Sequence, residues 1–108
     1  MLLYDELVKR LTRAELFLNK ESYEQFEDCV TRSLEIIRYL DDTLDRQYPI
    51  SMNLARMYDF FSYELNRVKA GRNKTELERV RVMVGELRDT FREAQRNVEG
   101  AAAAGSGG

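Results

Sequence analysis

The stretch MNLARMYDFFSYEL, residues 52–65, places most of its large apolar side chains on one face of a helix. At about 100° of rotation per residue, Leu54, Tyr58, Leu65 and Val68 all fall within about 60° of Phe61. A helix with so many large apolar side chains in a few turns must be covered by other helices. The stretch therefore predicts a helix over residues 51–70 that lies inside a bundle.

Three further segments with the same helical periodicity supply that cover, and we expect them over residues 2–19, 22–45 and 74–98. The predicted core positions of the first are Leu3, Leu7, Leu11, Ala14 and Leu18. Those of the second are Phe26, Val30, Leu34, Ile37 and Leu44, and those of the last are Leu77, Val80, Val84, Leu87, Phe91, Ala94 and Val98. Joined by short loops, these helices predict an all-α fold, an antiparallel up-down four-helix bundle.

Two pairs of residues have the form of capping boxes at helix starts, and two residues suit the left-handed conformation that closes a helix. The pairs are Ser22 with Gln25 and either Asn73 with Glu76 or Thr75 with Glu78, and the two closing residues are Asn19 and Gly71. The predicted bundle domain spans residues 1–99. Residues 100–108 carry no apolar pattern, and we expect a flexible tail or a linker added for expression.

The composition argues against catalysis. The chain has no histidine and one cysteine, which removes the usual zinc sites, Ser-His-Asp triads and Cys-His pairs. The acidic cluster Asp41, Asp42 and Asp45 is interpreted as a solvated helix end rather than a divalent-cation site, because no glycine-containing calcium loop follows it. We therefore expect a protein that is not an enzyme and has no catalytic residues, cofactor or metal.

The charge balance and hydropathy bear on partners and location. The 17 basic residues nearly balance the 19 acidic ones, so no strong field favours nucleic acid or an anionic membrane. Neither a membrane-length apolar run nor a signal-peptide pattern occurs, and we expect a cytoplasmic protein.

The apolar arcs are wider than one buried seam requires, which indicates candidate partner-binding residues beside the core stripes. These are Cys29, Ile36, Leu40, Met57, Phe60 and Met83. Methionine suits a groove that must adapt to its partner. The alternative is that the same residues pack against the second neighbour that every helix has in a four-helix bundle. We expect the Cys29 thiol to be structural or groove-lining and not reactive.

Four motifs together resemble a known family. Residues 53–61, NLARMYDFF, followed by Leu65, resemble the helix signature N-L-x-x-L/M-Y-D-Y/F of the flagellin-specific export chaperones, the FliS family. Leu3-Tyr4-Asp5 resembles that family's L-Y-D, and residues 36–45 resemble I-I-x-x-L-x-x-x-L-D. Residues 87–91, LRDTF, resemble its final L-R-D-A-W. The resemblance covers about residues 1–97, with the motifs in the family's order and spacing.

The chain departs from the family pattern in three places. Phe91 stands where the family usually has tryptophan, and Val68-Lys69 stands where it usually has Ala-Asn. The family's N-terminal arm, with its tyrosine and its T-A-S/T-P turn, is absent. We therefore expect either a truncated chain or a naturally short relative.

The resemblance implies a cytoplasmic export chaperone. Members of the family bind the C-terminal region of newly made flagellin, prevent its premature polymerisation and present it to the flagellar export apparatus. We expect a monomer or a weak dimer. A small bundle with spare apolar surface is compatible with the chaperone role, since such a surface can hold an amphipathic segment. The alternative is a structural or regulatory bundle that self-associates through its wide apolar faces and has no flagellin partner.

Overall fold

The computed structural model describes the backbone of residues 2–106 and the side chains of residues 3–97. The chain forms four α-helices, α1 (Leu2–Asn19), α2 (Tyr23–Asp42), α3 (Ile50–Gly71) and α4 (Lys74–Ser106), and the described residues contain no β-strand. The predicted all-α four-helix bundle is confirmed.

Each helix packs against two neighbours. Over the described residues, α1 contacts α2 and α4, and α3 contacts the same two helices. Asp5 near the start of α1 pairs with Arg92, whereas Glu15 near its end pairs with Arg81. Helices α1 and α4 therefore run in opposite directions, which is compatible with the predicted up-down order.

The apolar stripe of α3 is buried as predicted. Leu54, Tyr58, Phe61, Leu65 and Val68 all belong to the core. Their side chains meet the buried stripes of the other helices in one continuous cluster. Helix α3 is therefore covered by two neighbouring helices, α2 and α4, as the sequence pattern required.

On α1, the prediction for Leu3 is wrong. Leu7, Leu11, Ala14 and Leu18 are buried, but Leu3 is 37% exposed and Tyr4 takes its place in the core. Each four-residue step overshoots a full turn by about 40°, so two such steps carry Leu3 about 80° from Leu11. Tyr4 lies within about 20° of Leu11 and therefore points inward.

The buried arc of α2 is shifted relative to its prediction. Phe26, Val30 and Ile37 are buried as expected, whereas Leu34 and Leu44 are only part-buried. Cys29 and Ser33 are buried instead. The Ser33 hydroxyl donates to the Cys29 carbonyl oxygen at 2.8 Å, so this polar group is satisfied inside the core.

The long helix α4 leaves the bundle towards its C-terminal end. Leu77, Val80 and Val84 are fully buried, Leu87 and Phe91 are part-buried, and Ala94 is exposed, contrary to its predicted core position. The side chain of Val98 lies outside the described residues. The helix ends at Ser106 instead of near residue 98. The alanine run in this segment has a high helix propensity, which favours the longer helix.

The turns correct several predicted helix ends. The left-handed residues are Glu21 (φ 59°) and Arg72 (φ 53°), not Asn19 and Gly71. Ser22 is the N-cap of α2, but its side chain makes no capping hydrogen bond. The cap at the start of α4 is formed as predicted, because the Glu76 amide donates to Asn73 Oδ1 at 3.1 Å. Helix α2 ends at Asp42, three residues before its predicted end at 45.

Candidate partner-binding faces

Three of the sequence motifs meet where α1 begins. The hydroxyls of Tyr4 and Tyr58 share a hydrogen bond, and the Tyr4 ring stacks on Phe91 with centroids 5.5 Å apart and planes 16° from parallel. Asp5 pairs with Arg88 at 3.7 Å and with Arg92 at 2.8 Å. These contacts fasten the first turns of α1 to both α3 and α4.

Burial strengthens the preference of the tyrosine pair for the protonated form. Removal from water raises the pKa of Tyr4 and, more strongly, the pKa of Tyr58, because the phenolate form loses its hydration. A phenol is protonated at neutral pH in any case, so this effect acts only at alkaline pH. This pair is a buried structural contact between α1 and α3.

Cys29, Ile36 and Leu40 lie on what we call the α1–α2 face. Lys69 of α3 donates to Thr31 Oγ1 at 2.8 Å, so the flank of α2 that carries Thr31 faces α3. The three residues lie on the opposite flank by helical rotation, and this flank faces α1. Cys29 also lines a cavity of about 800 Å³ with Arg10, Arg13 and Phe17 of α1, and this cavity extends to Thr31 and Lys69.

The environment of Cys29 is that of a structural thiol. Cys29 is only 5% exposed. Burial raises the pKa of its thiol and the negative charge of Asp28 raises it further, and both outweigh the lowering by Arg10 and Arg13. Because the thiolate is the reactive form, both effects favour the prediction that this cysteine is unreactive. Ile36 and Leu40 are part-buried and pack against the core.

Met57, Phe60 and Met83 lie on what we call the α3–α4 face. Lys69 marks the flank of α3 that faces α2, and Met57 and Phe60 lie on the other flank. Arg81 marks the flank of α4 that faces α1, and Met83 lies on the flank turned towards α3. All three are part-buried against the core, and the Phe60 ring meets Phe61 edge-on at 6.1 Å.

The predicted partner residues thus form two sets on opposite sides of the bundle. Helical rotation correctly indicated that five of them flank the core stripes, but the prediction is wrong for Cys29, which lies in the core itself. It did not indicate which neighbouring helix each flank would meet, because that depends on how the four helices are arranged. One straight groove cannot include both sets.

Helix α3 carries a buried carboxylate, that of Glu64, which the sequence pattern did not predict. Glu64 is 6% exposed, and its Oε1 atom lies 3.5 Å from Nη1 of Arg67. Its Oε2 atom has no hydrogen-bond partner among the described residues. The available signal was its position, since Glu64 falls about 60° from Phe61 and therefore inside the apolar arc.

Comparison with known families decides the relationship. The model of a family described as flagellar protein FliS matches residues 1–98. The chain belongs to the FliS family. A search among curated proteins gives no significant match.

The FliS match ends at residue 98, close to the predicted end of the bundle domain at residue 99. It agrees with the resemblance that the four motifs carry. FliS is a family of flagellar chaperones, and the four-helix bundle is the scaffold of this member. The motif residues Tyr4, Tyr58 and Phe91 hold this scaffold together by their mutual contacts.

Other kinds of site find little support in the described part of this FliS-family chain. No group of three or more Cys, Asp or Glu side chains there could hold a metal ion. Asp41, at the acidic end of α2, pairs with Arg46 at 3.4 Å, and Asp45 Oδ1 accepts from the Gln47 amide at 3.0 Å. Among residues 2–106, no helix has the length and apolar character needed to cross a bilayer.

Proposed function

We propose that this FliS-family protein is a cytoplasmic chaperone of flagellin. It binds the C-terminal segment of newly made flagellin, prevents premature polymerisation and presents flagellin to the export apparatus. The observation that carries the proposal is the family match over residues 1–98, which includes the whole packed bundle. The apolar side chains beside the core supply a surface of the required kind.

The binding mode follows from the kind of surface available. An amphipathic segment lays its apolar side chains against part-buried apolar residues and keeps its polar side in water. Met57 and Met83 suit such contacts, since their unbranched side chains repack readily. The bundle binds and shields its partner and performs no chemistry on it.

We assign the partner contacts to both faces of the bundle. Because the α1–α2 face and the α3–α4 face are on opposite sides, a segment that contacts both has to pass around the molecule. Ile36→Lys and Met57→Lys test the two faces separately, with Val82→Lys as a control at an exposed position on α4. Far-UV circular dichroism checks folding, and binding of a fluorescent flagellin C-terminal peptide is measured for each.

We expect each face variant to stay folded and to bind the peptide more weakly, while the control binds as the unmodified protein does. A lysine in an apolar contact is left desolvated and unpaired when the partner docks. If one folded face variant binds normally, that face is removed from the site. If both bind normally, the assignment of the site to these residues is wrong.

The function itself is tested with intact flagellin. We expect purified monomeric flagellin, followed by light scattering, to polymerise with a delay that grows with the amount of the bundle and is complete at equal concentration. An unchanged polymerisation time course would contradict the proposal. Sedimentation of the bundle as a dimer in the same experiment would favour the alternative, a self-associating structural bundle.

A further inference from the structure

Glu64 is out of place in a purely structural helix. A carboxylate removed from water is costly unless its oxygens are paired, and each unpaired buried oxygen adds to that cost. Glu64 is 6% exposed, and its Oε2 atom is both buried and without a hydrogen-bond partner among the described residues. An apolar residue at this position would avoid the cost, which indicates that the carboxylate has another use.

The one ion pair of Glu64 in the described structure is weak and reaches it from the surface. Arg67 lies on the next turn of α3, with Nη1 3.5 Å from Oε1 and a side chain that is 60% exposed. Such an exposed arginine keeps most of its hydration and stabilises a partner by little. Its guanidinium is also 5.8 Å from the centre of the Tyr63 ring, outside the bundle. The Glu64–Arg67 contact can therefore be given up at little cost when another cation is offered.

The position of Glu64 connects it to the α3–α4 face. In helical rotation it lies about 60° from Phe61, between Met57 at about 40° and Phe60 at about 100° on the same side. A segment that docks along Met57, Phe60 and Met83 therefore passes over Glu64. A cationic side chain on that segment would be complementary to the half-paired carboxylate and surrounded by apolar contacts.

We propose that Glu64 is the acceptor for an arginine or lysine side chain of the flagellin segment that docks on the α3–α4 face. This inference rests on the proposed function. The apolar residues provide contact area, and the carboxylate fixes the position of the segment along the face, because a charge-assisted hydrogen bond needs a defined geometry. The cost of keeping Glu64 half-paired is then recovered on binding.

The test measures stability and binding on the same variants. Glu64→Gln keeps the shape and removes the charge, Glu64→Met keeps the volume and removes both oxygens, and Glu86→Gln is a control at an exposed position on α4. Urea denaturation gives the stability of the full-length protein. Isothermal titration with a synthetic peptide of the flagellin C-terminal segment gives the dissociation constant.

We expect both Glu64 variants to be at least as stable as the unmodified protein and to bind the peptide about tenfold or more weakly. A structural role for the Glu64–Arg67 pair predicts the reverse, namely lower stability and unchanged affinity. Unchanged affinity in either folded variant would overturn the inference and leave the proposed function standing. If the unmodified protein and the Glu86→Gln control do not bind the peptide, both the proposed function and this inference fail.

A double-mutant cycle identifies the cation. Each arginine and lysine of the peptide is replaced in turn by glutamine and titrated against the unmodified protein and Glu64→Gln. We expect one replacement to weaken binding to the unmodified protein about tenfold and to have little effect on Glu64→Gln, since the interaction is already lost there. If every replacement has equal effects on both proteins, no peptide cation contacts Glu64 and the inference is wrong.

Discussion

At the scale of single residues, Gly85 stands out as a part-buried glycine inside α4. Glycine in a helix costs stability relative to alanine, because it orders a more flexible backbone. An added Cβ would meet no neighbouring side chain or helix within 4 Å, so no close approach requires glycine here. We expect Gly85→Ala to raise the free energy of unfolding by about 0.5–1 kcal/mol. Urea denaturation measures it, and a loss of stability would mean that the helices approach more closely than described.

Phe61 and Leu87 differ in burial, and their truncations should differ accordingly. Phe61 is 1% exposed at the centre of the core, whereas Leu87 is part-buried where α4 begins to leave the bundle. We expect Phe61→Ala to cost about 3–5 kcal/mol and Leu87→Ala about 2 kcal/mol, because a cavity at the rim can collapse or fill with water. Chemical denaturation checks both. A loss below about 1 kcal/mol for Phe61→Ala would show that this stripe does not face the core.

At the scale of the helices, the hydrogen bond between Tyr4 and Tyr58 joins α1 to α3. Because both hydroxyls are buried, this pair makes the free energy of unfolding change with pH in the alkaline range. Burial raises the pKa of both phenols above their ordinary value near 10. Their contribution is fully present below pH 10 and is lost as pH rises above it, because the unfolded chain releases those protons more readily. We expect the free energy of unfolding to fall above pH 10, and to fall less in the Tyr4→Phe, Tyr58→Phe double variant. If the free energy of unfolding changed equally with pH from 8 to 11 in the unmodified protein and in the double variant, the tyrosine pair would not be buried.

The end of α4 is the second feature at this scale. Asp5 of α1 pairs with Arg92, and α1 begins only three residues earlier, so α1 covers little of α4 beyond this level. The predicted domain boundary at residue 99 remains a prediction. We expect removal of residues 100–108 to change the free energy of unfolding by less than about 0.5 kcal/mol, as for surface changes. A loss above about 1 kcal/mol on urea denaturation would place the tail within the folded domain.

The helices themselves were predictable from the sequence because burial repeats with the helical period. Leu54, Tyr58 and Phe61 share one face whatever covers them, so the stripe of α3 was found by rotation alone. Leu3 was predicted in the core in place of Tyr4 because successive four-residue steps along α1 rotate the side chains gradually around the helix. The left-handed residues Glu21 and Arg72 were missed, because loop closure between two packed helices outweighed the local preference for asparagine or glycine.

At the scale of the whole molecule, the candidate site was less predictable than the fold. The flanks that carry Ile36 and Met57 were visible in the sequence, but their separation onto opposite faces depends on the order of helices around the bundle. Glu64 could be recognised as a candidate only in the packed structure, because only its burial reveals that one of its oxygens lacks a partner. The identity of the partner comes from the family match and not from the physical properties of either face.

The central claim is that the bundle binds the C-terminal segment of flagellin, and a titration tests it most directly. A synthetic peptide of that segment is titrated into the protein by isothermal calorimetry, with far-UV circular dichroism of the mixture and sedimentation to give the mass. We expect saturable binding of one peptide per protein monomer and more helical signal than the separate components contribute, because the segment folds on docking. Absence of binding at micromolar concentrations, together with a dimer in sedimentation, would contradict the account.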